Sequence, residues 1–243
     1  MNFYDSSLEF FMFIRQFKYS KDNLGYLVYS TSEGIAIDAG GVKDILAFAI
    51  KNHICIKYVA NTHSHHDHTQ GNIELLKRTD ARFIDCKQIK SDQKIQLDQE
   101  TLEAFYTPGH TNDSVTFKSD EFIVSGDTLF NGTIGNCFSN DLDAFFRSLK
   151  RLMSLPGKTQ VYGGHDYVID SMEVAKTIEK DNPYIADYIQ AYNPGLIVST
   201  LEDELRANPY IRFNAPSMIN ILQKRKMPAN TELERFKSIM EIF

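Results

Sequence analysis

The sequence predicts an α+β protein in which sheets pack together with helices outside them, followed by a small helical unit. In the first two-thirds of the 243 residues, strand-like runs alternate with segments of helical spacing. After about residue 170 the strand signals nearly vanish and helical patterns remain. The hydrophobic content of 42% is ample for a sizeable core.

The first elements are predicted from apolar runs and the turn residues between them. Residues 25–29 and 35–38 flank a Ser-Glu-Gly turn and predict a hairpin. Residues 42–52 have helical spacing, residues 54–60 form a strand-like run, and residues 72–78 predict a short helix. Further strands are predicted at 10–14, 81–85, 102–106, 114–117, 122–125 and 160–162.

The remaining predicted elements are helices. One covers residues 142–154, with Asp141 as its N-cap and Pro156 and Gly157 as its stop. Helices are also expected at 171–180 and 184–192, and a third begins where Ser199 or Thr200 caps an acidic first turn.

Composition excludes several classes of function. The net charge of −6 and the pI near 5.6 argue against a nucleic-acid-binding protein, which needs a basic surface. No apolar run approaches the roughly 20 residues that span a bilayer, so no membrane association is expected. Three widely spaced cysteines without a CxxC pattern indicate reduced thiols and a cytoplasmic protein.

The strongest functional signal is the segment THSHHDHTQGN at residues 62–72, directly after the predicted strand 54–60. Imidazole and carboxylate groups suit zinc, iron or manganese. His63 and His65 are two residues apart on extended chain and point to the same side, and Asp67 and His68 follow where the chain turns. This spacing predicts two adjacent metal positions. The alternative interpretation is a solvated polar loop.

Three later sites place a ligand residue where a strand runs into a glycine-containing turn. They are His110 after Gly109, Asp127 after Gly126, and His165 after Gly164. Each alone is typical of an ordinary turn. Together they put five of the seven histidines at strand ends, which is what one site at the rim of a sheet requires. His53 and His66 do not fit this ligand set.

These motifs resemble the metallo-β-lactamase superfamily and, within it, the glyoxalase II (hydroxyacylglutathione hydrolase) family. The chain contains the family's THxHxDHxxGN loop at 62–72, PGHT at 108–111, GDTLF at 126–130 and a GHEY-like GHDY at 164–167. STLEDEL at 199–205 with NPY at 208–210 is similar to the family's STLxEEL…NPF stretch. The resemblance implies an αββα sandwich at residues 1–168 and a substrate-binding helical domain at 169–243.

The resemblance also implies a set of metal ligands. His63, His65 and His110 would hold the first ion, and Asp67, His68 and His165 the second. Asp127 would bridge the two ions together with a water or hydroxide. The expected cofactors are two divalent ions, zinc first, with iron or manganese as alternatives.

The implied reaction is hydrolysis of a thioester, S-D-lactoylglutathione, to D-lactate and glutathione in methylglyoxal detoxification. Two dications would make hydroxide available near neutral pH and polarise the thioester carbonyl. Asp67 and Asp127 are the implied catalytic residues, with Asp67 orienting the water. No Ser or Cys nucleophile motif is needed.

The substrate-binding residues depart from the family pattern. Asn136 and Phe138 stand where the family has a lysine and a tyrosine that bind glutathione. Near the C-terminus, Lys237 aligns with the first basic residue of the family's LRxxK stretch and Met240 with the second. Tyr167 keeps its family position. Loss of cations weakens binding of carboxylates, so the identity of the thiol carrier stays open.

Four other functions fit parts of the pattern. A β-lactam-hydrolysing relative commonly has a cysteine ligand where this chain has Asp127, and a nuclease relative needs a basic groove. A sulfur dioxygenase with a single iron shares the HxH, His and Asp positions, but GDTLF and the helical tail favour the hydrolase. A non-catalytic binding module has no physical need for seven ligands. Metal content of two ions, one ion or none separates the dinuclear hydrolase from the single-iron dioxygenase and from the binding module.

Overall fold

Two mixed β-sheets pack face to face between outer layers of helices. A computed structural model describes residues 12–242 of the chain. Within these residues one sheet has five strands and the other has six, and helices cover both outer faces. This arrangement confirms the predicted α+β class and its sandwich of sheets.

The first sheet contains the hairpin predicted from the sequence. Its strands, in spatial order, are β1 (Phe13–Tyr19), β2 (Asn23–Tyr29), β3 (Glu33–Ile37), β4 (Cys55–Ala60) and β5 (Arg82–Ile84). β1, β2 and β3 are paired antiparallel, whereas β3, β4 and β5 are paired parallel. The C-terminal ends of β3 and β4 therefore lie at the same edge of the sheet.

The second sheet is built mainly from antiparallel neighbours. Its strands, in chain order, are β6 (Gln93–Leu97), β7 (Glu100–Tyr106), β8 (Val115–Lys118), β9 (Phe122–Gly126), β10 (Gln160–Gly163) and β11 (Ser199–Thr200). Among the described residues of this sheet only β9 and β10 are paired parallel, so their C-terminal ends also share an edge. Neither β6 nor β11 is among the predicted strands, because β6 is rich in polar residues and β11 has only two residues.

Side-chain alternation along the strands divides the core into layers. Tyr26 and Val28 of β2 point between the sheets, and the intervening Leu27 points to the outer face. In the second sheet Val124 lies between the sheets, and the neighbouring Ile123 faces outward. Because both faces of each sheet are buried, these strands have apolar residues at consecutive positions.

Helices cover the outer face of each sheet. The first four are α1 (Val42–Lys51), α2 (His66–Thr69), α3 (Asn72–Arg78) and α4 (Leu142–Met153). α1 packs Ile45 against the first sheet, and α4 packs Leu149 against the second. The Asp141 side chain accepts a hydrogen bond from the backbone N–H of Ala144 at 2.8 Å, which confirms its predicted role as N-cap of α4.

The C-terminal part is helical, as predicted. Its helices are α5 (Val168–Ile178), α6 (Tyr184–Ala191), α7 (Leu201–Ala207), α8 (Pro216–Lys224) and α9 (Glu232–Ile242). α5 begins three residues before the predicted start at residue 171, and α8 is not among the predicted elements. Thr200 and Asp203 form a capping box at the start of α7, which confirms the predicted cap.

The helical tail shares hydrophobic core with the sandwich. Phe213 and Phe236 are fully buried in one cluster with Phe145 of α4 and Ile123 of β9. The predicted boundary between residues 168 and 169 falls at the first turn of α5 and stays a prediction.

Two further sequence expectations concern the N-terminus and membranes. Residues 10 and 11 of the predicted strand 10–14 lie outside the described residues, and β1 begins at Phe13. Among residues 12–242, every helix is too short or too polar to cross a bilayer.

The shared core generates a prediction about stability. Replacement of Phe236 by alanine should lower the free energy of unfolding by about 3–5 kcal/mol, because it opens a cavity between α9 and α4. Phe83→Ala is the matched control, since that ring is 44% exposed on an edge strand. Urea denaturation followed by circular dichroism measures both variants. Equal losses would contradict packing of the tail onto the sandwich.

Candidate metal centre

The residues expected as ligands converge at one edge of the sandwich. They follow the C-terminal ends of β4, β7, β9 and β10. The HxHxDH loop is anchored by Asp38, which follows β3 and is fully buried. Its carboxylate accepts hydrogen bonds from the Thr62 backbone N–H at 2.8 Å and from the Thr62 hydroxyl at 2.6 Å. The loop therefore leaves the strand in a fixed direction.

Two glycines allow the ligand-bearing turns to approach one another. Gly126 has φ +51°, and a Cβ there would lie 2.2 Å from the Thr62 hydroxyl oxygen. A Cβ on Gly164 would lie 2.1 Å from Asp127 Oδ1 and 2.9 Å from the His68 ring. The glycines beside Asp127 and His165 are therefore required by close packing within the site.

The first ligand group contains His63, His65, His110 and Asp127, whose candidate ligand atoms all lie within 4.8 Å of one another. His65 Nδ1 is 2.9 Å from His63 Nε2 and 3.2 Å from His110 Nε2. Asp127 Oδ2 is 3.5 Å from His110 Nε2. Ligands about 2.0–2.1 Å from one tetrahedral ion lie roughly 3.4 Å apart, so the spacing suits zinc.

The second group contains Asp67, His68 and His165, again within 4.8 Å. His68 Nε2 and His165 Nε2 are 3.3 Å apart, and each is close to Asp67 Oδ2, at 3.5 and 3.3 Å. Asp127 also reaches this group, with Oδ1 at 3.3 Å from His68 Nε2. The Asp127 carboxylate therefore lies between the two groups.

The outer ring nitrogens of four histidines meet hydrogen-bond acceptors. The pairs are His63 with the Thr62 hydroxyl at 3.2 Å, His68 with the Asp38 carboxylate at 3.0 Å, His110 with the Asn136 carbonyl at 2.9 Å and His165 with the Asp22 carboxylate at 2.9 Å. In the neutral form of each imidazole, an outer N–H that donates to this acceptor leaves the Nε2 lone pair pointing into the cluster. This is the tautomer that a metal ligand needs.

The electrostatics of the cluster also fit cations. Burial, reinforced by His68, lowers the pKa of His63 to about 3, so this imidazole is neutral at pH 7. Burial opposes ionisation of Asp127, but the neighbouring histidines outweigh it and hold the pKa of Asp127 well below its ordinary value. Asp127 Oδ1 is buried without a hydrogen-bond donor. A buried anionic acceptor beside inward lone pairs is suited to divalent ions.

Aromatic rings flank the two ligand groups. Tyr167 stacks on His165, with ring centroids 4.9 Å apart and planes inclined by 4°. Phe138 meets His65 and His110 edge to face at 5.7 and 5.3 Å, and it is 61% exposed. Two of the four residues predicted to bind substrate thus lie directly against predicted ligands.

The other two predicted substrate residues are placed differently. Asn136 has an exposed side chain, and its backbone carbonyl accepts the hydrogen bond from His110. Lys237 of α9 forms an ion pair with Asp143 of α4 at 2.5 Å, so its ammonium group is held by a carboxylate of the chain itself. Lys237 therefore contacts α4, whereas Tyr167, Phe138 and Asn136 contact predicted ligands.

Several residues that support the site were not predicted from the sequence. Asp38 and Asp22 hold histidine N–H groups, and the Asn23 side chain donates to Asp67 Oδ2 at 2.9 Å. Asp38 is the last residue of the predicted strand run 35–38 and directly follows β3, so the strand-end criterion that identified Asp127 also applies to it. His66 is exposed on α2 and His53 follows α1, and neither belongs to the two groups.

Comparisons with known proteins agree with this geometry. The profile of the Metallo-beta-lactamase superfamily matches residues 87–165. A hydroxyacylglutathione hydrolase from Hyphomonas neptunium is 31% identical over 226 residues, covering 84% of this chain and 88% of that protein. One from Pelagibacter ubique is 30% identical over 228 residues, covering 85% and 95%. ETHE1 from Myxococcus xanthus has a similar fold, with a TM-score of 0.69 at 23% identity, covering 95% of this chain and 91% of that one.

The hydrogen bonds of Asp38 generate a prediction about metal affinity. Asp38→Asn should weaken zinc binding about 10–100-fold, because the amide cannot accept from both Thr62 and His68. The matched control is Asp98→Asn, since Asp98 has the same φ of 51° and accepts from Ser32 away from the site. Zinc retained after dialysis against a chelator is the measurement. Equal retention in both variants would contradict the assignment.

Proposed function

The chain belongs to the hydroxyacylglutathione hydrolase family, and we propose that it hydrolyses S-D-lactoylglutathione to D-lactate and glutathione. The observation that carries this proposal is the pair of adjoining ligand groups that share Asp127. A single group would suit one ion, whereas two complete groups around one carboxylate suit the dinuclear chemistry of a metal-dependent thioester hydrolase.

The proposed cofactors are two divalent ions, zinc first and iron or manganese as alternatives. His63, His65 and His110 would hold one ion, Asp67, His68 and His165 the other, and Asp127 both. When bound, such ions supply Lewis acidity for the thioester carbonyl and lower the pKa of water from about 15.7 to about 7. The nitrogen-rich donor set with two carboxylates is compatible with all three metals.

Asp67 is the residue proposed to orient the attacking water. Burial opposes its ionisation, but His68, Asn23 and His165 outweigh burial and lower the pKa of Asp67, so it is a carboxylate at pH 7. The Asn23 amide fixes Oδ2 at 2.9 Å, while nearly half of the Asp67 side chain remains exposed. Asp67 therefore offers an accessible acceptor for a water proton beside both ligand groups.

The reaction needs no general acid at the leaving group. The water gives up its protons to solvent as its oxygen bonds to the thioester carbonyl carbon, the C–S bond breaks, and the sulfur leaves as a thiolate with the bonding electron pair and takes up a proton from solvent after release. A thiol has a pKa of about 8.5, so its thiolate leaves without prior protonation near neutral pH. Asp67 and Asp127 are accordingly the two residues proposed as catalytic.

The proposed substrate path lies between the aromatic rings. Tyr167 and Phe138 border the ligand groups on two sides and provide apolar walls for the acyl and thiol parts. Asn136 and Lys237 are the proposed polar contacts, with Lys237 supplied by residues 169–243 as the substrate-binding domain. The ion pair with Asp143 moderates the attraction of Lys237 for a substrate carboxylate.

A cytoplasmic location is part of the proposal. Cys55, Cys86 and Cys137 are free thiols in the structure, and reduced cysteines are typical of that compartment. The partner is a small thioester, and the acidic balance of the chain supports no role in nucleic-acid binding.

Turnover of S-D-lactoylglutathione by zinc-loaded protein is the direct test. We expect efficient hydrolysis, and Asp127→Ala should lower kcat/KM by about 10³-fold or more, because both ligand groups lose a member. The matched control is Asp120→Ala, which removes a fully exposed carboxylate. A protein with two zinc ions that hydrolyses no thioester would overturn the proposal. One iron per chain would favour the sulfur dioxygenase.

A second prediction concerns the thiol carrier. If Lys237 meets a glutathione carboxylate, Lys237→Met should raise KM about three- to tenfold and leave kcat unchanged. Asp143→Asn should lower KM, because it frees the ammonium group. A thioester of an uncharged thiol is the control substrate, and its KM should change with neither variant. Equal effects on both substrates would exclude Lys237 from carboxylate recognition.

A further inference from the structure

The helical tail contains a fully buried carboxylate that the proposed chemistry does not use. Glu204 of α7 has no exposed surface, and within residues 12–242 it forms no ion pair with a lysine or arginine. Four donors surround it instead. They are the Gly132 backbone N–H at 2.9 Å, the Asn208 amide at 2.9 Å, the Ser199 hydroxyl at 2.6 Å and the Tyr188 hydroxyl.

The two oxygens of Glu204 have different partners. Oε1 accepts from the hydroxyls of Tyr188 and Ser199, which belong to the tail. Oε2 accepts from Asn208 and from the backbone of Gly132, which lies in the segment after GDTLF. Burial raises the pKa of Glu204, which shows that these hydrogen bonds do not fully replace water around the carboxylate. A costly buried group of this kind connects the tail to the Gly132 segment.

The segment that Glu204 holds, residues 131–138, leads directly to the metal centre. Gly132 has φ +91°, and the Asn208 amide also donates to the Thr133 carbonyl at 3.0 Å. Three residues further on, the Asn136 carbonyl accepts the N–H of His110. The backbone between Thr133 and Asn136 is closely packed, because a Cβ on Gly135 would lie 2.0 Å from the Asp127 carbonyl oxygen and 2.7 Å from the His110 ring.

We propose that Glu204 is a positioning residue for the metal centre. By holding the Gly132 backbone, it fixes residues 131–138 so that the Asn136 carbonyl orients His110 and Phe138 stays against the ligand rings. The helical tail thus sets the geometry of a ligand as well as contributing to the substrate side. Only the kinetic part of the test below rests on the proposed function.

The test compares removal of the acceptor with its conservative replacement. Glu204→Met keeps the volume but leaves the Gly132 N–H without an acceptor. Glu204→Gln can keep an oxygen toward Gly132 and Asn208, because the Ser199 and Tyr188 hydroxyls can turn to accept from the new amide. Glu204→Asp, which withdraws the carboxylate by one methylene, serves where the methionine variant does not fold.

The matched control is another buried acid of the tail. Glu179 is 4% exposed, forms an ion pair with Arg212 at 2.7 Å and accepts from the Ser217 hydroxyl, and among the described residues it makes no hydrogen bond or ion pair with residues 131–138. Glu179→Met therefore removes a buried carboxylate and destabilises the tail without acting on His110. A loss of zinc affinity or of the His110 resonance that both variants share reflects impaired folding. A loss confined to the Glu204 variants reflects a change at the metal centre.

Two measurements do not depend on a substrate. In ¹⁵N-histidine-labelled, metal-free protein, the His110 Nδ1–H resonance should vanish or move upfield in Glu204→Met and Glu204→Asp, and persist in Glu204→Gln and Glu179→Met. In competition with a chelator, the first two variants should bind zinc about tenfold more weakly at one of two sites. In the kinetic arm, Glu204→Gln should restore kcat/KM to within about threefold of the parent.

The contrary outcome is equally specific. If Glu204→Met, or Glu204→Asp in its place, keeps the His110 resonance and binds two zinc ions as tightly as Glu179→Met, Glu204 serves stability alone and the proposal is overturned. Absence of hydrolysis in the parent protein, with both substrate-free results as expected, would overturn the proposed substrate and leave the role of Glu204 standing.

Discussion

The orientation of the histidine lone pairs is the constraint on which the rest of this structure depends. A neutral imidazole binds a metal only through the nitrogen without a proton, and an acceptor at the outer nitrogen of four histidines favours the form with Nε2 free. Asp38 and Asp22 come from strand ends or turns of the first sheet, and the Asn136 carbonyl comes from beyond β9. The lone pairs therefore converge only when the two sheets are packed in their native relative position. Because each of the four ligand-bearing turns directly follows a strand of the sandwich, the sheets position all seven ligands.

Most of this arrangement is predictable from the sequence, because it follows local rules. Strand ends that run into glycine turns indicated His110, Asp127 and His165, the histidine-rich loop indicated the other candidates, and the family resemblance implied how the seven divide between two ions. Helix caps at Asp141 and Thr200 indicated two helix starts. The supporting residues are harder to find. Asp38, Asp22 and Asn23 are isolated polar residues whose importance comes from a partner distant in sequence. The Lys237–Asp143 ion pair has the same character, since only packing of α9 on α4 reveals it.

The two strands that were not predicted, β6 and β11, also show the limit of local sequence rules. β6 carries few apolar residues because it is an edge strand, and β11 exists only through pairing with β10. Neither has a periodic pattern long enough to identify. β11 nevertheless matters for the site, because its Ser199 hydroxyl donates to Glu204 and its Thr200 caps α7. Two residues of strand thereby fix the helix that carries the buried carboxylate.

The helical tail consequently has two regions with different freedom to change. α7 is held by Glu204 and Asn208 against the segment that supports His110, so substitutions there alter the metal centre itself. α9 presents Lys237 at the surface, where its ion pair with Asp143 is exposed and worth little. On the proposed function, substrate preference can therefore change through Lys237 of α9 while the ligand geometry is preserved. Lys237 is the substrate-side residue that can change without disturbing the ligands, whereas Asn136 and Phe138 lie in the segment that supports His110.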